Sequence, residues 1–340
     1  MTRSRPTTGP DQRHDGQAAG SRGAGAAPDK PTKLTGRMWL GALKRTVREF
    51  RDDNLTDWAA ALTYYAVLSI FPGLLVLVSA LSLFGQSIIQ SLIDNMDTIA
   101  PGPVGDILKP GAQSLTQAQG TAGILVIVGL AGALWSASGY VAAFMRASNA
   151  IYDVPEGRPL WKTLPVRLGV TIVVGVLLAV SALMVVFTGS LADRVGNAIG
   201  AGSALLTAWG ILKWPILVVL VSQMFALLYW ASPNAKQGGY KWISPGGLLA
   251  VVLWILASAG FAFYVGNFGS YNKTYGALGA VIIFFVWLWI SNNAILLGAE
   301  FDAELHRGRA IAAGHPEDKE PYVELRDTRK VREGQDTDLS

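Results

Sequence analysis

The sequence predicts an all-α membrane protein whose chain crosses the bilayer six times, and three observations lead to this fold class. Only 15% of the 340 residues are charged, whereas soluble domains carry about 25% charged residues. Six segments reach the roughly 20 apolar residues that a hydrocarbon core about 30 Å thick requires. Lys and Arg are also distributed unevenly among the segments that flank these six.

The six predicted spans form a membrane domain over residues 58–306. The spans are approximately residues 58–84, 122–145, 168–187, 204–230, 246–265 and 277–299. The fourth is the least regular, because Lys213 divides it into two apolar pieces. A long tilted helix, with the Lys213 side chain extended towards an interface, accounts for both pieces.

The segments on either side of the membrane domain have different compositions. Residues 1–34 contain almost no large apolar side chain, which predicts a disordered arm. Residues 35–57 place apolar side chains at helical spacing with Lys and Arg on other faces, as an amphipathic helix does. We expect this helix to lie in the headgroup layer, and the alternative is an ordinary helix packed on the protein. Residues 307–340 are predicted to be a disordered tail.

The connection between the first two predicted spans, residues 85–120, is the longest one in the membrane domain. Pro101 and Pro103 divide it, and the apolar spacing before them and the residues after them predict two short helices. These helices can form either a functional lid or a structural cap over the outer face.

The distribution of basic residues predicts the orientation in the membrane. All of the 28 Lys and Arg residues except Lys109, Arg194, Lys213 and Lys273 lie before the first span, after the last span, or in the second and fourth connections. Because positive charge gathers on the cytoplasmic flanks of spanning helices, both termini are predicted to be cytoplasmic. This topology also accounts for the net charge of +4, so we expect no nucleic-acid partner.

Motifs for enzyme chemistry are scarce. The sequence has no Cys and only three His residues, His14, His306 and His315, all outside the predicted spans. It contains no GxxxxGK[ST] phosphate loop and no GxSxG nucleophile elbow. We therefore predict a protein that is not an enzyme, with no catalytic residue, metal site or cofactor. The expected partners are membrane lipids and a lipid or small-molecule substrate, and the oligomeric state is left open.

Polar residues within the spans are the candidates for a substrate pathway, because polar groups in lipid are rare and often functional. Pro72 lacks an N–H, which frees the carbonyl of Leu68 and predicts a kink that Ser69 can relieve. Packing between helices is the alternative role for the polar residues of the second and sixth spans. The predicted pathway or kink residues are Ser69, Pro72, Gly73, Ser136, Tyr140, Ser291, Asn292 and Asn293.

A second candidate is a charge network at the cytoplasmic ends of the spans. Its predicted members are Arg146, Asn149, Arg158 and Glu300. Glu300 is close enough to the interface to pair with Arg146, Arg158 or Arg167, and the sequence does not select among the three.

Three motifs in this order resemble the YihY/virulence factor BrkB family of bacterial inner-membrane proteins. They are DNLTDWAAALTYYAVLSIFPGLL, LWSASGYVAAFMRASNAIYDVPEGRPLW and YGALGAVIIFFVWLWISNNAILLGAEFDAEL. The resemblance covers residues 38–306, with a small departure at FDA after GAE. It implies six spans with cytoplasmic termini. The family's older label, ribonuclease BN, looks like a misassignment, and some relatives are connected with serum resistance or with export of envelope lipid precursors.

These observations favour a transporter or a translocase for lipids or envelope precursors. The alternative is a scaffold or regulator of envelope assembly that transports nothing. Ribonuclease activity is not expected, since the three His residues are scattered.

Overall fold

The computed structural model describes residues 36–82, 122–186, 202–237, 239–240, 244–267 and 271–331, together with the single residues 192 and 196. The elements within these ranges are helices, and the one β-type contact found there is an antiparallel bridge between Ala235 and Leu325. The all-α prediction is therefore confirmed for the described part of the chain. The predicted arm at residues 1–34, the connection at 85–120 and residues 332–340 lie outside it.

Seven helices are described, and each has a composition that favours helix. They are α1 (Gly36–Asp52), α2 (Leu55–Ser82), α3 (Ala122–Ile151), α4 (Leu160–Val186), α5 (Ser203–Ala231), α6 (Pro245–Asn267) and α7 (Tyr271–Ala312). Helices α2 to α6 are apolar on all faces, which is typical of buried or membrane-spanning helices.

Helices α2 to α7 form a closed ring. Each packs against the next along the chain, and α7 returns to pack against α2, while α1 lies against α7 and α2. We call the end of this ring that carries residues 152–159, 232–237 and 313–331 the tail side. The buried core lies towards this side, where Leu62, Phe144 and Leu296 are fully enclosed.

Four helices in the described ranges are long and apolar enough to cross a membrane. They contain Leu160–Val185, Ala204–Ala231, Pro245–Gly266 and Val281–Ala312. Little of the apolar part of these segments is buried inside the protein, only 11% of an 18-residue window within Pro245–Gly266. An apolar surface of that extent matches lipid rather than water. The first two predicted spans overlap α2 and α3, and the six-span arrangement stays a prediction.

Helix α1 has two apolar faces with different surroundings. Ala42 is buried against Phe301 and Leu305 of α7. Leu40 and Val47 are exposed, and they lie seven residues apart on the same side of the helix. The helix thus packs on the protein and still presents an apolar stripe. Its location in the headgroup layer stays a prediction.

A sharp break separates α1 from α2. Asn54 has a φ of 51°, in the left-handed region, where Asn is one of the few side chains tolerated after a helix. The predicted amphipathic segment 35–57 is therefore divided, because α2 already begins at Leu55.

The chain after residue 307 differs from the predicted disordered tail over its described part. Helix α7 continues to Ala312, and the following residues return to the tail side of the ring. Arg326 N donates to Asn234 O at 2.9 Å, and Lys330 N donates to Gly157 O at 3.1 Å. Val323 and Leu325 also pack against the core. A few backbone contacts and two apolar side chains hold a segment whose overall composition is polar.

Candidate functional site

A chain of buried polar groups connects α2, α3 and α7. Tyr140 Oη of α3 donates to Asn292 Oδ1 of α7 at 2.9 Å, and Asn292 Nδ2 donates to Thr63 Oγ1 of α2 at 3.0 Å. Thr63 Oγ1 in turn donates to Ala59 O at 2.8 Å. Asn292 is only 3% exposed. We call Thr63, Tyr140 and Asn292 the polar chain, and two of its three members are predicted pathway residues.

The sequence brings α2 and α3 close enough for this contact. A Cβ on Gly139 would lie 2.8 Å from the Tyr65 ring, so any larger residue would require the ring or the helices to move. Ser136 Oγ donates to Leu68 O at 3.1 Å. That carbonyl is the one whose helical partner is missing at Pro72.

The prediction that Ser69 relieves the carbonyl freed at Pro72 is wrong. Ser69 Oγ donates to Tyr65 O at 2.6 Å, and it is Ser136 of the neighbouring helix that satisfies the carbonyl of Leu68. Helix α2 continues on both sides of Pro72 and Gly73, so the hydrogen bond from α3 supports an unbroken helix at that point.

The two polar neighbours of Asn292 do not join the polar chain. Ser291 Oγ donates to Trp287 O at 2.8 Å and accepts from Trp254 Nε1 of α6 at 3.1 Å. Asn293 Nδ2 donates to Trp289 O of its own helix at 2.7 Å. Ser291 thus packs α6 on α7, and of these three neighbouring residues it is Asn292 that hydrogen-bonds to α2 and α3.

Arg158 and Asn149 hold the connections on the tail side. Arg158 is 5% exposed, and its Nη2 lies 2.7 Å from Glu156 Oε2 and 2.7 Å from Ser232 O. Asn149 Nδ2 donates to the same carboxylate at 3.0 Å, while its Oδ1 accepts from Asn234 N at 2.7 Å. These groups join the α3–α4 and α5–α6 connections.

The structure separates Glu300 from the arginines proposed as its partners. Arg158 pairs with Glu156, which is only two residues away. Arg167 Nε donates to Ser138 O at 2.8 Å. Arg146 is exposed on an open depression of the tail side. The predicted four-member network is therefore divided, because a nearer carboxylate competes for Arg158.

Glu300 instead lines a small cavity on the tail side, formed with other charged groups. Its volume is about 20 Å³, enough for about one water molecule. We call it the acidic pocket, and its titratable lining is Glu49, Asp53, Tyr152, Asp153, Glu300, Glu304, Arg307 and Tyr322.

Ion pairs occupy only part of this lining. Arg307 Nη1 lies 2.9 Å from Glu49 Oε1 and 3.3 Å from Glu304 Oε1. Arg45 of α1 also pairs with Glu304. Glu300 is 1% exposed, and its Oε2 has no hydrogen-bond partner among the described residues. Both arginines are thus engaged by other carboxylates.

Burial and like charge act together on the outer carboxylates of the acidic pocket. Burial raises the pKa of Asp53 to about 7, and the charges of Asp153 and Glu49 add to the effect. Burial likewise raises the pKa of Asp153 to about 6, with further contributions from Glu320 and Glu49. The pocket therefore contains groups that exchange protons near neutral pH.

This shift predicts a pH dependence of stability. Folding raises the pKa of Asp53 from 3.8 to about 7, so its contribution is complete below 3.8 and is lost as the pH rises through about 7. We expect the unfolding temperature of Asp53→Asn to fall less than that of the wild type between these pH values. Thermal unfolding in detergent measures this. Asp57→Asn, at an exposed position nearby, should follow the wild type, and parallel curves for all three proteins would contradict the prediction.

Sequence reasoning missed Thr63 and the carboxylates around Glu300 as site residues. Thr63 lies in a charge-free apolar run, so its polar side chain is visible in the sequence, but a single Thr near the end of a span does not by itself indicate a contact with two other helices. For Glu49, Asp53 and Asp153 the available signal was acidic side chains on flanks predicted to collect positive charge. In the described ranges, no group of three or more His, Asp or Glu side chains is placed to hold a metal ion.

Comparison with known proteins gives a consistent result. The sequence model of the virulence factor BrkB family matches residues 46–322. The UPF0761 membrane protein PBPRA3489 of Photobacterium profundum is 31% identical, over 84% of this chain and 90% of the relative. The ribonuclease-like protein YfkH of Bacillus subtilis is 29% identical, over 76% of this chain and 92% of the relative. No solved structure matches the chain significantly.

Proposed function

We propose that this chain, which belongs to the virulence factor BrkB family of membrane proteins, is a transporter that moves a small solute or a lipid-linked envelope precursor across the bacterial inner membrane. The observation that carries the proposal is the polar chain. Polar side chains are costly to place within a membrane, so those that face the inside of a helix bundle are candidates for a functional site. Thr63, Tyr140 and Asn292 meet where three helices of the ring converge.

The positions of these residues support a direction for the proposed pathway. Asn292 lies eight residues before Glu300 on α7, about 12 Å along the helix at 1.5 Å per residue. Leu62, Phe144 and Leu296 are fully buried in the core and form the apolar barrier in this part of the ring. We propose that the tail side faces the cytoplasm. This agrees with the sequence, in which the segments predicted to be cytoplasmic carry more Lys and Arg than the segments on the other side. A movement of α7 against α2 and α3 would then open a path for the substrate past the polar chain, from the tail side to the other side of the membrane.

The main test is transport by the purified full-length protein in liposomes. A panel of labelled lipids, lipid-linked sugars and small solutes should include at least one that moves faster than in empty vesicles, with a pH or ion gradient supplied. Absence of any such movement across the panel would overturn the proposal.

Asn292 and Asn293 provide a matched pair of variants for this assay. Asn292→Ala removes the hydrogen bonds to both Tyr140 and Thr63, each worth about 0.6 kcal/mol in a membrane bundle. We expect transport to fall on the order of tenfold. Asn293→Ala removes only a bond to the carbonyl of Trp289 and should transport at nearly the wild-type rate. Equal rates for the two variants would exclude the polar chain from the pathway.

The alternative function is a scaffold that transports nothing, and one observation favours it. Close backbone contacts, such as Gly246 against Gly298, hold α6 and α7 as a fixed pair. Crosslinking in native membranes should then recover a stoichiometric protein partner. Recovery of this chain alone, together with measured transport, would exclude the scaffold.

The name of the relative YfkH raises RNA cleavage as a third candidate. We do not favour it. His306 packs edge-on against the Tyr152 ring at 6.1 Å, and His315 packs against Tyr322, so the two described histidines lie in separate aromatic contacts. Metal-dependent cleavage of precursor tRNA by the purified protein, lost in His306→Ala, would establish it.

A further inference from the structure

We propose that Glu300 is a proton-binding site, which exchanges its proton with the tail-side solution through the acidic pocket. The use of this proton to drive transport rests on the proposed function, whereas the binding itself does not. The exchange needs no other reactant. A hydronium ion in the pocket transfers its proton to a Glu300 carboxylate oxygen and leaves as water, and the reverse step regenerates the carboxylate.

Glu300 is buried, and one of its carboxylate oxygens has no hydrogen-bond donor among the described residues. The side chain is 1% exposed, and this oxygen is Oε2. A carboxylate removed from water is unfavourable unless it is paired or accepts hydrogen bonds, and the usual outcome is that the group binds a proton. Glu300 therefore satisfies the geometry of a neutral carboxylic acid.

Several acidic groups line the acidic pocket together with Glu300. Glu49 faces the pocket from α1, Asp53 from the α1–α2 turn, and Asp153 from the α3–α4 connection. Tyr152 and Tyr322 complete the lining from the α3–α4 connection and the C-terminal segment. Helices α2, α3 and α6 contribute uncharged residues to the nearby core, such as Ala59, Ala147 and Ala250.

The arginines near Glu300 form ion pairs with other carboxylates. Arg307 pairs with Glu49 and Glu304, and its guanidinium also lies 4.6 Å from the centre of the Tyr322 ring. Arg45 pairs with Glu304. Beyond Tyr152, a neighbouring cavity contains Asp302, His306 and Arg309. Since carboxylates outnumber free cations around Glu300, the local field favours its protonated form.

Two carboxyl groups of the acidic pocket are more exposed to the solution than Glu300. Asp53 is half-buried, Asp153 is exposed, and both line the cavity with Glu300. Their raised pKa values, about 7 and about 6, allow each to accept and release a proton near neutral pH. The volume of about 20 Å³ fits about one water molecule. These carboxyl groups thus form a short relay between solution and Glu300.

The test is infrared spectroscopy of the full-length protein in lipid nanodiscs, with a pH titration of the carbonyl stretch of protonated carboxyl groups. We expect a protonated carboxyl signal in the wild type at pH 7.5 that is missing in Glu300→Gln. Glu317→Gln, at an exposed position of the C-terminal segment, should retain it. Identical signals in the wild type and Glu300→Gln would overturn the proposal.

A second variant protects the test against a folding failure. If Glu300→Gln does not fold, Glu300→Asp keeps the carboxyl group and should shift the frequency of the signal, whereas an unchanged frequency would overturn the assignment. Addition of Na⁺, Mg²⁺ or Ca²⁺ is a further arm. If any of these ions removes the signal at constant pH, the pocket is a cation site and the proton assignment is wrong.

Transport measured on the same samples separates this inference from the proposed function. Loss of the signal in Glu300→Gln without any wild-type transport would support proton binding and count against a transporter. Transport by the wild type, with a carboxyl signal that Glu300→Gln does not change, would support a transporter and count against proton binding by Glu300. If both hold, Glu300→Gln should abolish the response of transport to a pH gradient and retain exchange between identical solutions.

Discussion

Replacement of Gly298 by alanine is expected to separate α6 from α7 on the tail side and to destabilise the protein by about 3 kcal/mol, at the upper end of the usual range for overpacking. A Cβ at this position would lie 2.4 Å from Gly246 O, 2.7 Å from Ala250 Cβ and 2.7 Å from Tyr229 Oη. The first of these contacts involves the backbone, so relief requires movement of a whole helix. Thermal unfolding in detergent, followed through the fluorescence of the 11 Trp residues, measures the loss.

Gly260→Ala is the matched control for Gly298→Ala. Gly260 lies in α6, and a Cβ there would have no atom within 4 Å. Because alanine favours a helix over glycine by roughly 0.5–1 kcal/mol, this variant should be as stable as the wild type or slightly more so. If both alanine variants unfold at the same temperature, close approach of the two backbones does not limit stability.

Replacement of Arg158 by methionine is expected to have the other large effect, a loss of about 3–5 kcal/mol. Arg158 is 5% exposed and pairs with Glu156, and it also donates to the carbonyls of Ala231 and Ser232. The methionine side chain keeps much of the volume but leaves the carboxylate and both carbonyls without this donor. Denaturant unfolding of the purified variant measures the change.

Two further variants make the Arg158 prediction specific. Lys236→Ala breaks the exposed pair with Glu324, and exposed pairs of this kind contribute about 0–1 kcal/mol. The double variant Glu156→Gln/Arg158→Met should lose less stability than the two single variants added together. Each single variant leaves one charge of the pair without its partner, whereas the double variant leaves neither. Additive effects, or a similar loss in Lys236→Ala, would contradict the assignment of stability to the Arg158 cluster.

The family and the helical fold were predictable from the sequence. The apolar runs and three motifs identified the virulence factor BrkB family, which the match over residues 46–322 confirms. Helix positions followed from the same runs, because an apolar segment of about 20 residues has few alternatives to helix in lipid. The break at Asn54 was less accessible, since its left-handed backbone is set by how α1 packs against α7.

The candidate site was predictable only in part. Tyr140 and Asn292 were identifiable as polar residues in apolar spans, but their joint contact with Thr63 depends on how three helices are rotated about their axes. The partner of Arg158 could not be chosen from sequence, because Glu156 and Glu300 carry the same kind of acidic group. Disorder was predicted for the described chain after residue 307 from average polarity, whereas Val323, Leu325 and a few backbone hydrogen bonds determine its position.

The position of the C-terminal segment has a consequence for biosynthesis. Asn234 Nδ2 donates to Asp327 O at 2.9 Å, and Gly157 lies so close to Asp327 that a Cβ there would be 2.0 Å from the same carbonyl. Residue 327 follows every helix of the ring in the sequence, so these contacts form only after the ribosome has made all of these helices. Synthesis of the helices and completion of the tail side are thus separate events in time. A translation product that stops before residue 320 should display an unfinished surface, which a protease that monitors membrane proteins can distinguish from the full-length chain.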